Sequence, residues 1–107
     1  MEKKAIISKD KIYRYKLSRT WDSTKPTILF IGLNPSIADE NIDDPTITRC
    51  INFAKDWGYG TLLMANLFAF RSTYPKDIYL IDDPIGKDND HYLLECVTQS
   101  DLIVACW

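Results

Sequence analysis

Cysteine pairs at metal-ligand spacing, a glycine-rich phosphate loop and a membrane-length apolar run are all missing from this chain of 107 residues. Its three cysteines, Cys50, Cys96 and Cys106, are odd in number and far apart. They form no Cys-x-x-Cys or Cys/His pattern, which argues against a zinc site, an iron–sulfur cluster or a disulfide framework. Glycine is scarce, at four residues, and neither a P-loop nor Gly-x-Gly-x-x-Gly is present. The single histidine, His91, stands at the start of a helical stretch beside Asp88 and Asp90 and reads as solvent-exposed. A Ser-His or Cys-His triad within the chain is therefore excluded. No metal and no cofactor is expected. No segment approaches the roughly 18 apolar residues of a membrane span. The charged N-terminus is not followed by the apolar core of a signal peptide. A cytoplasmic protein with no membrane partner is the expectation, and unpaired thiols fit a reducing compartment.

What is present is a foldable single domain, residues 1–107. Hydrophobic residues make up 46% of it, with Trp 3, Tyr 6 and Phe 4, enough for a packed core without staples. The net charge of -2 is unevenly spread. Residues 1–19 carry seven basic side chains (Lys3, Lys4, Lys9, Lys11, Arg14, Lys16, Arg19) against Glu2 and Asp10. Such an arm either touches phosphates locally or is the solvated face of a first strand. Cys50 and Cys106 fall on apolar faces and read as core thiols.

Residues 12–21 alternate apolar and polar with many β-formers, as a half-buried strand does. The turn at 22–26 lets that strand pair antiparallel with the run at 27–31. Asp44-Pro45 is a helix start, with Asp as N-cap and Pro in the first helical position. Ile47, Cys50, Ile51, Ala54 and Trp57 follow at helical spacing, and Gly58 ends the helix. A buried strand at 61–66, one helical turn at 76–80, a helix at 88–99 with Leu93, Leu94 and Val97 inward, and a buried strand at 102–106 complete the order β-β-α-β-α-β. Right-handed crossovers make strands 27–31, 61–66 and 102–106 parallel. The expected fold is a three-layer α/β sandwich with a mainly parallel sheet. The last strand reaches the end of the sequence with no loop after it, which reads as a domain incomplete at its C-terminus.

In such a sheet the C-terminal strand ends carry the site. The run 28–31 stops at Gly32 and opens into a thirteen-residue polar loop, Gly32 to Asp44, about twice the usual βα connection. The run 61–65 ends on Asn66. Parallel pairing brings Asn34 and Asn66 to one edge. Gly32 permits close approach of a ligand or of another backbone, and Pro35 holds Asn34 extended. Asn amides offer one acceptor and two donors, a match for the edge of a pyrimidine or an amide. They do not titrate, so a general base has to come from a carboxylate such as Asp39 or Asp43. Ser36 lies in the same loop. Arg71 is able to meet a phosphate, and Phe68, with Phe70 and Tyr74, to wall a pocket or stack on a base. The same residue types are also ordinary loop chemistry: Asn, Pro, Ser and Asp make turns, Asp44 caps a helix, and loop aromatics pack down on helices.

Five motifs in order give the chain a family likeness: Arg14-Tyr15-x-Leu17-Ser18-Arg19-x-Trp21, Gly32-Leu33-Asn34-Pro35-Ser36-x-Ala38-Asp39, Asp43-Asp44-Pro45-Thr46-Ile47-x-Arg49-Cys50, Trp57-Gly58-Tyr59-Gly60, and Asn66-Leu67-Phe68-Ala69-x-Arg71. Together they resemble a bacterial and phage domain family of unknown function, whose members usually run longer and carry a His-Pro stretch near the C-terminus. Two of them also resemble, more distantly, the uracil-DNA glycosylase superfamily. Gly32-x-Asn34-Pro35 is similar to the motif that closes the first core strand in its mismatch-specific branch. Leu62-Leu63-Met64-Ala65-Asn66 with Arg71 is similar to the strand whose Asn reads the uracil edge. That resemblance implies a nucleobase, a nucleotide, or a single-stranded or flipped-out nucleic acid as partner, and hydrolysis of an N-glycosidic bond as the reaction. It implies Asn34 as holder of the attacking water and Asn66 as reader of the base. The superfamily's third motif, with its His, would fall after Trp107. A non-catalytic nucleotide-binding module and a structural or interaction domain stand as alternatives.

Overall fold

The computed structural model describes all 107 residues. In chain order the elements are β1 (Glu2–Ile7), β2 (Arg14–Thr20), β3 (Thr27–Gly32), α1 (Pro45–Asp56), β4 (Thr61–Asn66), a 3-10 helix (Pro75–Tyr79), α2 (Asn89–Gln99) and β5 (Leu102–Ala105). One five-stranded sheet has the order β1-β2-β4-β3-β5. β3 runs parallel to both β4 and β5, with Ile28 opposite Leu62 and Leu102. β1–β2 and β2–β4 are antiparallel. The sheet is thus mixed rather than mainly parallel. The parallel trio is where the crossovers require it, and two antiparallel strands extend it on the β4 side.

The expected hairpin between β2 and β3 does not form, because β4 lies between them. Gly60, at the entrance to β4, explains how. Its carbonyl accepts from the Trp21 and Asp22 amides, and its own amide donates to the Pro26 carbonyl. The turn at 22–26 therefore wraps over the start of β4 instead of closing a hairpin. A Cβ on Gly60 would overlap the Asp22 carbonyl, so only glycine lets the two backbones meet.

α1 covers one face and α2 the other. Ile28, Phe30, Leu62 and Met64 pack with Ile47, Cys50, Ile51 and Ala54 of α1. Leu29, Leu63 and Ala65 pack with Cys96 of α2. α1 begins as its sequence dictates, with the Asp44 carboxylate accepting the Ile47 amide at 2.9 Å and Pro45 in the first turn. Trp57 does not turn inward. It is the C-cap residue, half-exposed, stacked on Phe30 and Phe53. On α2 Leu93 and Val97 pack inward as expected, beside the fully buried Asn89 and Cys96, whereas Leu94 is exposed. The buried thiols are Cys50 and Cys96, whereas Cys106 is exposed.

β2 contains a bulge that alternation alone does not reveal. Ile6 pairs with Lys16 and Ile7 with Arg14, leaving Tyr15 as the extra residue. Arg14 is thereby turned to the face that holds Leu17 and Arg19, while Tyr15 stacks on Tyr92 of α2. The supposed basic arm is in consequence partly interior: Arg14 and Arg19 are both buried. Arg19 Nε donates to Asp43 Oδ1 at 2.8 Å. Its terminal nitrogens donate to the carbonyls of Ser18, Asp39 and Ile42. Lys3 meets the other Asp43 oxygen at 3.4 Å. Partial burial of Asp43 works to raise its pKa, but the Arg19 and Lys3 partners outweigh it and leave the carboxyl below its ordinary value.

Two stability outcomes follow. Gly60→Ala should cost about 2–3 kcal/mol in urea unfolding, the range for forcing an atom into filled space. Arg19→Met should cost about 3 kcal/mol, the low end for breaking a buried ion pair. Because the folded pKa of Asp43 is lowered, its contribution is complete above the ordinary carboxylate value, near ~3.9, and fades as pH falls through the folded value. The stability gap between wild type and Asp43→Asn should therefore be full at neutral pH and shrink in acid below about pH 4.

Candidate functional site

β3 and β4 end side by side, with Gly32 opposite Asn66 in the ladder. The chain leaving β3 and the chain leaving β4 stay bonded beyond the sheet. The Leu67 amide donates to the Gly32 carbonyl, Phe68 to Leu33, and Ser72 to Pro35 at 2.8 Å. The loops after the two strands are thus joined, and a cavity of about 40 Å³ lies between the loop after β3, the start of α1 and the ends of β2 and β4, lined by Arg14, Asn34, Ser36, Asp44, Thr46 and Asn66 among others. Asn34 and Asn66 line the same space.

Each asparagine is half committed. Asn34 Nδ2 donates toward the carbonyls of Pro35, Phe70 and Ser72, at 3.4, 3.4 and 3.2 Å. Its Oδ1 accepts no bond from the protein. Asn66 is buried, and its Oδ1 accepts from Arg14 Nη2 at 3.4 Å. Its Nδ2 has no protein acceptor. The pair therefore offers one free acceptor and one free donor. Gly32 makes this possible, because a Cβ there would come within 2.9 Å of both Asn66 Nδ2 and Met64 Cε. The close approach that Gly32 permits is that of the Asn66 side chain.

Behind Asn66 stand two residues with no visible functional signature in the sequence. Arg14 donates to the Ala38 carbonyl at 3.1 Å and to Asn66, and its Nε has no partner. Burial lowers its pKa to about 10, with nearby Asp44 opposing the shift and Arg71 and Arg19 reinforcing it. The guanidinium stays charged at neutral pH. Asn89 Nδ2 holds the carbonyls of Asn66 and Leu67 at 2.9 and 3.2 Å, while its Oδ1 is buried without a partner. Asn89 reads in sequence as part of a polar helix start, and Arg14 as one more charge in a basic stretch. Only the bulge in β2 and the docking of α2 bring them inward.

The remaining candidates are distributed as follows. Pro35 and Ser36 line the cavity. Asp39 does not: its Oδ1 accepts the amides of Asn41 and Ile42, both at 2.8 Å, and those bonds hold its pKa below the usual value. Asp43 is also outside the cavity, tied to Arg19 and Lys3. The one carboxylate at the cavity is Asp44, which caps α1 with one oxygen and accepts the Ala38 amide at 3.3 Å with the other. Arg71 spends its guanidinium on the carbonyls of Ser36, Ile37 and Lys11. Phe68 is half-buried and is not among the cavity residues; Phe70 meets Tyr13 edge to face. No group of three or more His, Cys, Asp or Glu side chains is placed to hold a metal ion. No helix is long and apolar enough to cross a membrane.

No curated protein and no solved structure matches the chain. A family model described as "Protein of unknown function (DUF1643)" matches residues 14–107, which span every motif quoted above and all the residues of the cavity. The chain belongs to that family.

Proposed function

We propose that the Asn34/Asn66 cavity receives the edge of a nucleobase and that the domain binds a nucleoside or nucleotide through it. The observation that carries the reading is the pairing of one free acceptor, Asn34 Oδ1, with one free donor, Asn66 Nδ2, on a single cavity. A ring edge bearing an N–H beside a carbonyl, as in uracil, thymine or guanine, answers that pattern. The volume limits the reading usefully. About 40 Å³ has room for water or for a ring edge, whereas whole-ligand pockets run to roughly 300 Å³ and more. The body of the base would lie in the adjoining cleft of about 410 Å³, which shares Ser36 with the cavity. The distant likeness of the two Asn motifs to the uracil-DNA glycosylase superfamily points to the same ligand class.

Binding without hydrolysis is the form the residues favour. General-base activation of water beside the ligand takes a carboxylate free to accept its proton. Asp39 and Asp43 hold loop and arginine groups away from the cavity, and both oxygens of Asp44 accept backbone amides.

Titration with nucleosides, followed by backbone amide chemical shifts, tests the reading. Saturable shifts should cluster at 32–38 and 66–72, and Asn66→Ala should weaken them about tenfold, the worth of one good hydrogen bond to a buried group. Gly32→Ala, which crowds the Asn66 amide, should act in the same direction. Asp39→Asn keeps the acceptor for Asn41 and Ile42 and should leave affinity unchanged. A folded sample that shows no shift with any nucleoside refutes base binding; release of free base over time refutes the non-catalytic form.

A further inference from the structure

The β1–β2 turn, residues 8–13, borders the cleft that adjoins the Asn cavity. That cleft, of about 410 Å³, is lined by Lys11, Ser36, Ile37, Arg71 and Tyr74 among others. A second cleft of about 290 Å³ continues from it past Lys11 and Arg71 to Lys9. Lys3, Lys4, Lys16 and Arg19, in the same basic stretch, each have a carboxylate partner, whereas Lys9 and Lys11 have none.

Free surface lysines are common, so the backbone matters more. Lys11 has φ 65, the one non-glycine residue of the chain with positive φ. That conformation is costly for a lysine and costs glycine nothing. It is held from both sides: the Lys11 amide donates to the Ser8 carbonyl at 2.9 Å, and its carbonyl accepts Arg71 Nη1 at 3.3 Å. Arg71 also grips Ser36 and Ile37, so one guanidinium fixes the turn and the Asn34 loop relative to each other. A lysine kept where glycine is the relaxed choice points to use of its side chain. Its ammonium and the adjacent Arg71 charge face the cleft of about 410 Å³, whose one carboxylate, Asp77, already accepts the Ser72 hydroxyl. The second cleft also holds Asp39, which accepts the Asn41 and Ile42 amides, and Glu40, so the phosphate is assigned to the first cleft. Exposed Ile37 and Tyr74 supply apolar surface in the same cleft.

We infer that this cleft binds the phosphate of a nucleotide whose base edge occupies the Asn34/Asn66 cavity, with Lys11 as the direct contact and Lys9 at the rim. The inference rests on the base-binding reading above and adds a phosphate to its ligand. A phosphate is met by an uncommitted ammonium without rearrangement, and the neighbouring guanidinium adds charge while its donors stay on the loop carbonyls.

The test compares nucleosides, their 5′-monophosphates, inorganic phosphate and a short single-stranded oligonucleotide at low and moderate salt, for wild type and Lys11→Gly. Glycine keeps the positive φ and removes the ammonium, so the variant should fold at least as stably as wild type by thermal melting. Monophosphates should bind about tenfold tighter than nucleosides at low salt, move amides at 9–11, 36–37 and 72–74, and lose that advantage in Lys11→Gly, while nucleoside affinity stays the same. Tighter binding of the oligonucleotide assigns the phosphate to a strand, and tighter binding of the monophosphate assigns it to a free nucleotide; either supports the site. Equal affinity for nucleoside and monophosphate, or full monophosphate affinity in Lys11→Gly, overturns the phosphate site and leaves base binding standing. Shifts at 9–11 with inorganic phosphate as strong as with nucleotides, and none at 34 or 66, overturn the base reading and this inference together.

Discussion

Two buried guanidiniums hold the polar loop against the sheet, and the geometry of the site depends on them. A long loop rich in Asp, Asn and Pro has many backbone carbonyls and little apolar surface with which to bury itself. Arg14 takes the carbonyl of Ala38, and Arg19 takes those of Asp39 and Ile42 together with the Asp43 carboxylate. Each charge is costly to desolvate; Arg19 is compensated by the Asp43 carboxylate and fixed carbonyls, in a planar fork geometry that suits arginine better than lysine, whereas Arg14 has the Ala38 carbonyl and the Asn66 amide and keeps its Nε unpartnered. The burial that brings the Arg14 pKa down to about 10 is far from enough to discharge it. The cation therefore remains a permanent strut under the Ala38 carbonyl and the Asn66 amide.

The bulge at Tyr15 is the backbone device that makes this possible. Under strict alternation from Leu17, position 14 would lie on the α2 face and position 15 on the loop face. The extra residue exchanges them: Tyr15 enters the aromatic stack with Tyr92 and Tyr13, and Arg14 reaches under the loop. Gly86 completes the exchange on the α2 side, since a Cβ there would come within 2.9 Å of the Tyr13 and Tyr15 rings. Beyond the bulge β2 departs from β4, its Arg14 amide turning to the Ala69 carbonyl, and the room so opened is where Asn66 and its neighbours leave the sheet.

The sequence was legible where one local signal sufficed. Asp44-Pro45 and the spacing of Ile47, Cys50, Ile51 and Ala54 defined α1, and the apolar runs defined the parallel trio. It was illegible where the outcome depended on partners distant in sequence. The turn at 22–26 looks like a hairpin until Gly60 and β4 occupy its concave side. Arg14 and Arg19 look solvated until the loop folds over them, since isolated charges in an alternating strand read as its wet face. Leu94 and Cys96 differ in fate because α2 presents only a narrow inward stripe to β4 and β2. Nothing local distinguishes Asn89 from any polar residue at a helix start, although its amide is bonded to the backbone at the end of β4.

Within the candidate site the same dependence separates residues spent on the fold from residues with hydrogen-bonding capacity in reserve. Residues whose hydrogen-bonding capacity is spent on backbone groups, Arg71, Asp39, Asp43 and Asp44, set the shape of the loops and have little left for a ligand. Residues with capacity in reserve, Asn34 through Oδ1 and Asn66 through Nδ2, are held in place by the atoms they have already committed. Fixing one end of an amide while leaving the other free is a low-entropy way to present a donor or an acceptor, because the rotamer is ordered before any ligand arrives. Gly32 keeps the Asn66 amide unobstructed, and Arg14 behind it fixes which end is free. Both amides are ordered by the bonds they already make, to Arg14 on one side and to the carbonyls of Phe70 and Ser72 on the other, and that makes the one donor and one acceptor a preformed pattern.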